Sequence, residues 1–343
     1  MGVWVMRIRR RWLAAGAAAL LLLTLSGGVW LRRAAAKTAS EGDFIKWVDF
    51  NVTYPVLERA MKLDIASQET EQPISWIDLL AYAACECGNR FSGYAPARLD
   101  AVAERLRGGE SMEALTRSMP YFAYYREAYT AALGGFVGEF EEEDADGVHL
   151  RYGLKAFSPI AAGFYYNDYD DFGTSRSYGF ARRHEGHDML GSTGTPIVAV
   201  ESGRVEALGW NQYGGWRIGI RSADNKRYYY YAHLRRDFPY QLDLKEGDTV
   251  TAGDVIGYMG RTGYSRTENV DNIDVTHLHF GMQLIFDESQ KETDSGEIWI
   301  DVYPIVQLLA RHRSAVTRDT ETKEYRRTYA YRDCSPAGDL PND

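Results

Sequence analysis

Hydrophobic residues follow three regimes along the 343-residue chain. The first is an unbroken apolar run, Leu13 to Leu31, with arginines at both ends (Arg7, Arg9, Arg10 and Arg11 before it, Arg32 and Arg33 after it). A membrane-spanning helix needs ~20 such residues and a signal-peptide core only ~7–15, so residues 1–40 read as a cytoplasmic stub and single-pass anchor. Ala34-Ala35-Ala36 is the small-residue alternative, a cleavage site that would release a secreted form. In the second regime, residues 41–140, apolar positions recur every three or four residues and predict a small helical domain. Ser75-Trp76-Ile77-Asp78 resembles a capping box, Leu99, Val102 and Leu106 share one helical face, and Met112, Leu115, Met119 and Phe122 extend the stripe into a further helix. The cluster Tyr121 to Tyr125 reads as core and rim packing rather than a ligand surface.

The third regime, residues 156–312, is built of short runs rich in Val, Ile and Tyr between glycine turns. Strands are predicted at Ile197–Val200, Arg204–Leu208, Trp216–Arg221, Arg227–Ala232 and Leu278–Leu284. Closely spaced strands without intervening helices predict a mainly antiparallel sandwich or small barrel. The acidic stretch within 141–155 reads as a solvated linker, and 313–343 as a polar, disordered tail. The predicted fold class is therefore α+β and multidomain: membrane helix, helical domain, then a β-sandwich or barrel-like domain.

Net charge is −9, with 39 basic against 48 acidic residues, so no concentrated basic face is expected and nucleic acid is excluded as a partner. Three cysteines do not make a closed disulfide framework. Protein partners are not indicated.

Of only seven histidines, four sit in three short motifs. His277 and His279 lie two apart on a predicted strand and project from the same face. His184 and Asp188, in the glycine-containing segment His184-Glu185-Gly186-His187-Asp188, complete a set able to give three N/O ligands with one position open. That is the pattern of catalytic zinc, whereas structural zinc is closed by four ligands. His187 is the rival ligand in that segment, but it stands three positions from His184, not the four of the helical His-Glu-x-x-His motif. His149 and His312 read as solvated.

Residues 156–310 resemble the lysostaphin-type (LytM-like) zinc endopeptidases, which cut peptides of bacterial peptidoglycan. The resemblance rests on His184-x-x-x-Asp188, Thr195-Pro196-Ile197-Val198-Ala199, Tyr231-Ala232-His233-Leu234, the Gly247–Gly257 run, and His277-Leu278-His279-Phe280. It implies one Zn2+ per chain held by His184, Asp188 and His279, with His233 and His277 as catalytic histidines whose roles are not divided between them. It also implies a peptidoglycan peptide substrate and a catalytic domain outside the cytoplasm. Tyr229 or Tyr231 is a candidate phenol donor, and Asp171 to Gly179 a candidate groove wall. The chain departs from the family pattern at Gly281, where Glu commonly follows Phe, and in the polar insert Asp287 to Glu297. A non-catalytic LytM-like binding module is the alternative, weakened by the intact ligand set. A biotinyl- or lipoyl-type carrier is disfavoured because no lysine lies between Lys245 and Lys291.

Overall fold

The computed structural model describes residues 45, 48–144, 146–177, 181–287 and 297–334. The apolar run Leu13–Leu31 and most of the polar insert lie outside them. Among the described residues no helix is long and apolar enough to cross a membrane.

Helices occur where the three- and four-residue spacing predicts them: α1 (Tyr54–Ser67), α2 (Trp76–Cys87), α3 (Arg98–Arg107), α4 (Met112–Thr116) and α5 (Phe122–Leu133). The Ser75 hydroxyl accepts from the backbone N–H of Asp78, the first half of a capping box, and Gly88 closes α2 in the left-handed conformation. The stripe from Met112 to Phe122 is two helices, not one. Pro120 lacks an N–H and disfavours helical geometry at Met119, so the chain breaks there and restarts at Phe122.

The predicted acidic linker is a β-hairpin, β1 (Val137–Asp144) with β2 (Gly147–Leu154). Its acidic side chains are matched across strands: Arg151 pairs with Glu142, and Arg332 with Glu141. Phe140 stacks on Tyr331 at 5.2 Å. The predicted tail also proves structured as far as residue 334. It holds β14 (Val316–Arg318), β15 (Tyr325–Arg327) and β16 (Ala330–Asp333), and β16 joins the hairpin as its third strand. Composition misleads there because the tyrosines that anchor the segment alternate with arginines. Tyr331 is buried among Phe157, Ala161 and Val198, and Arg327 lies over the rings of Tyr329 and Tyr331.

The rest follows the predicted strands closely. The larger sheet runs β10 (Thr249–Val250), β7 (Gly203–Asn211), β8 (Gly215–Ser222), β9 (Arg227–Ala232), β12 (His277–Leu284) and β13 (Ile298–Trp299), all antiparallel. Strand β5 (His187–Leu190) pairs with the first half of β12. A second pair, β6 (Pro196–Val198) with β11 (Val255–Tyr258), and a short hairpin, β3 (Ser175–Ser177) with β4 (Ala181–Arg183), complete this part. A last helix, α6 (Tyr303–Leu309), has contacts with α1.

The helices and the sheet belong to one compact unit among the described residues. Arg227 of β9, fully buried, makes a bidentate pair with Glu201 at 2.8 and 2.9 Å. The same guanidinium donates to the carbonyl of Ala131 at 2.7 Å, in the last turn of α5. Asp64 of α1 accepts from Trp76 N–H and from the Tyr152 hydroxyl of β2, tying a second helix to a strand.

Candidate metal and catalytic centre

Sheet register brings the candidate ligands together. In β12, His279 lies directly opposite Asp188 of β5 on one side and Ala232 of β9 on the other. Side chains alternate along a strand, so Asp188 faces the site while His187 faces away. His184 enters from the turn before β5, and His233 follows the last residue of β9.

Three atoms converge: His184 Nε2, His279 Nδ1 and Asp188 Oδ1 are 3.0 to 3.1 Å from one another. The Nδ1 of His184 faces the carbonyl and a carboxylate oxygen of Asp171, each at 3.2 Å. Both are acceptors and lie closer than the Arg176 guanidinium at 3.4 Å, so Nδ1 carries the proton and a neutral His184 presents a lone pair at Nε2. That lone pair points at another acceptor, Asp188 Oδ1, an arrangement that needs a cation or a second proton between them. Tetrahedral zinc with bonds of about 2.0–2.1 Å has ligand atoms about 3.3–3.4 Å apart, close to the observed spacing. Two imidazoles and one carboxylate suit zinc and leave a coordination position open. In the absence of metal the second proton takes this place. Burial disfavours charge on His184, but Asp171 and Asp188 outweigh it and push its pKa up to about 9.

Neither Asp171 nor Arg176 was anticipated as a support for the ligands. Asp171 is buried beneath His184 rather than standing in a groove wall. Arg176 donates to Asp188 Oδ2 at 2.9 Å and to Asp171 Oδ2 at 2.7 Å, leaving Asp188 Oδ1 free to face the cluster. The only sequence signal for either was proximity to His184. His187, the rival ligand, lies away from this cluster. It is fully buried, its Nε2 meets Asp168 Oδ2 at 3.0 Å, and its ring packs on Tyr303 at 5.2 Å. His312 is not solvated either: its Nδ1 bonds the carbonyl of Ala156 and its ring stacks on Phe157 at 4.4 Å.

The other two histidines stand beside the cluster. His233 is buried and its backbone is left-handed, with φ of 61°. Its Nδ1 donates to the Thr262 carbonyl at 2.9 Å, which leaves Nε2 as the acceptor. Burial, then the neighbouring His277 and His279, pushes its pKa well below the ordinary value, so the ring is neutral. His277 donates from Nδ1 to the Val275 carbonyl at 2.8 Å, and its Nε2 lies 3.7 Å from Asp188 Oδ1. The two ring centres are 4.7 Å apart. Tyr229 and Tyr231 are not available as donors here. Their hydroxyls bond Glu201 and the Val200 N–H on the core face, and it is Tyr230 that packs edge-on to His279.

Two glycines are explained by close approach. A Cβ at Gly186 would stand 2.5 Å from Cε1 of His279, so only glycine lets the ligand ring lie there. At Gly281, the departure from a pattern in which Glu commonly follows Phe, a Cβ would meet the Trp299 ring at 2.9 Å. Trp299 covers that position instead and packs against Tyr230 at 6.1 Å.

The model of the family described as Peptidase family M23 matches residues 182–293. The L-Ala--D-Glu endopeptidase of Bacillus subtilis (strain 168) is 34% identical over 190 residues, covering 55% of this chain and 53% of that protein. Lysostaphin of Staphylococcus staphylolyticus is 38% identical over 98 residues, 28% of this chain and 18% of its own. The peptidoglycan DD-endopeptidase ShyC of Vibrio cholerae is 33% identical over 102 residues, 30% of this chain and 20% of its own. The chain thus spans about half the length of the first relative and about a fifth of the other two.

Proposed function

We propose that the protein is a zinc metalloendopeptidase that hydrolyses peptide bonds of peptidoglycan, a reading supported by the match of residues 182–293 to the model of Peptidase family M23. The observation that carries this reading is the triangle of His184 Nε2, His279 Nδ1 and Asp188 Oδ1, with the neutral His233 beside it. His184, Asp188 and His279 would hold one Zn2+. Zinc there supplies a Lewis acid for the scissile carbonyl and brings the pKa of a water toward ~7.

His233 Nε2, left unprotonated by the bond from Nδ1 to Thr262, takes the proton of the attacking water. His277, on the more open side, faces the oxygen of the tetrahedral intermediate and stabilises it when its Nε2 carries a proton. Backbone carbonyls of Thr262 and Val275 fix both rings, so neither has to reorient during the reaction. The similarity to the Bacillus enzyme favours a bond within the stem peptide, between L-Ala and D-Glu.

The test is digestion of purified sacculi by the protein, with mass spectrometry of released peptides and metal analysis of six variants. His184→Ala, Asp188→Ala and His279→Ala should lose zinc together with activity. His233→Ala and His277→Ala should keep zinc and lose activity by ~10²–10⁴-fold. His187→Ala should keep its metal. Zinc retained by His184→Ala but lost by His187→Ala would overturn the ligand assignment.

We also place the catalytic part outside the cytoplasm, anchored by Leu13–Leu31, a reading supported by the apolar run and by where the wall substrate lies. Protease added to intact protoplasts should then remove the catalytic part; full protection would refute this topology.

A further inference from the structure

Arg176 and Arg182 occupy directly opposed positions on β3 and β4. Cross-strand neighbours share a face, and like charges placed opposite each other are destabilising unless each finds a partner. Arg176 has two carboxylates, Asp171 and Asp188. Arg182 makes no close ion pair among the described residues, and Glu185 feels its charge only from farther away. Its guanidinium instead lies 5.4 Å from the ring centre of Tyr264 and 5.6 Å from that of Tyr213, and donates to the Tyr264 hydroxyl. Its Nε–H is buried without an acceptor.

This cation stands at the catalytic centre. The Tyr264 ring is 5.8 Å from that of His233, and the backbone N–H of Tyr264 bonds the carbonyl of Tyr213. The Tyr264 hydroxyl and the two rings hold the guanidinium in place, and no carboxylate pairs with it directly.

We propose that Arg182 is a specificity residue that binds a free carboxylate on the substrate peptide, beside the bond that is cut. The proposal rests on the peptidase reading above and narrows it to acidic peptides. A guanidinium held in place by neutral aromatic partners matches a carboxylate better than any neutral group. The overall charge of −9 would not attract such a substrate, so recognition has to be local. A glutamate joined onward through its side chain meets the requirement, because its α-carboxylate stays free one carbon from the scissile nitrogen.

The probes are two peptides, L-Ala-γ-D-Glu-L-Lys-D-Ala with the glutamate α-carboxyl free or amidated, and ketomethylene analogues of both that cannot be cut. The zinc-loaded full chain should bind the free-acid analogue about 10- to 100-fold more tightly than the amide, the range for hydrogen bonds to a charged group. It should show the same ratio in kcat/KM. In Arg182→Gln the ratio should collapse to about one, with melting temperature and zinc content unchanged; Arg182→Lys should recover part of it. Equal binding of acid and amide by the unaltered protein, or a loss in Arg182→Gln that is the same for both, overturns the proposal. If sacculi are not digested at all, the peptidase reading fails, while the binding ratio of the uncut analogues still decides the role of Arg182.

Discussion

At the scale of single residues, the proposed ligation by His184 sets one proton and one metal ion in competition for a position. Below pH ~9 the metal-free ring keeps a second proton, held by Asp171 and Asp188 against the cost of burial. Because the folded pKa is raised above the ordinary 6.5, the metal-free fold gains stability from this pair below pH 6.5 and loses it as pH rises toward about 9. Metal binding must expel that proton. The apparent zinc affinity should therefore rise about tenfold per pH unit between roughly 6.5 and 9 and then flatten. Competition against a chromophoric chelator at several pH values measures the slope. An affinity independent of pH would mean that His184 is already singly protonated. Asp171→Asn should weaken zinc binding by ~10- to 100-fold, the usual effect of losing a carboxylate behind a ligating histidine.

At the scale of elements, the alternation of side chains along β5 and β12 made much of the site legible from sequence alone. A strand reading of His277-Leu278-His279 put both imidazoles on one face, and β12 bears this out. The same alternation separates Asp188 from His187, a distinction that sequence left open because the strand's starting residue was not evident. The supports of the ligands were hidden for a different reason. Asp171 and Arg176 are single residues of unremarkable type, and only the turn before β5 and the β3–β4 hairpin bring them under His184 and Asp188. The hairpin at 137–154 and the strands after 313 were misread because charged residues dominate them. Composition reports solvation of side chains, whereas pairing of Glu141 with Arg332 and stacking of Phe140 on Tyr331 depend on partners far away in the chain. Tyr229 and Tyr231 were misread by one position, since the face toward the site belongs to Tyr230.

At the scale of the molecule, the expectation of a separable helical domain meets a set of buried bonds that cross its boundary. Arg227 links Glu201 to the last turn of α5, and Asp64 links α1 to β2. Helices and sheet should then unfold in a single transition followed alike by far-ultraviolet circular dichroism and tyrosine fluorescence. Arg227→Met leaves Glu201 buried without its counter-charge and should cost about 3–5 kcal/mol. Two separated transitions in the unaltered protein would show that the helices fold independently after all. The pairing of β1 with β16 has a consequence for synthesis. Glu141 and Arg332 are 191 residues apart, so on the ribosome β1 and β2 emerge long before the strand that completes their sheet. Through that interval an open strand edge is a template for joining other chains. The glutamates along β1 repel a second copy of the same edge, and the arginine-bearing β16 is the strand whose charge they await.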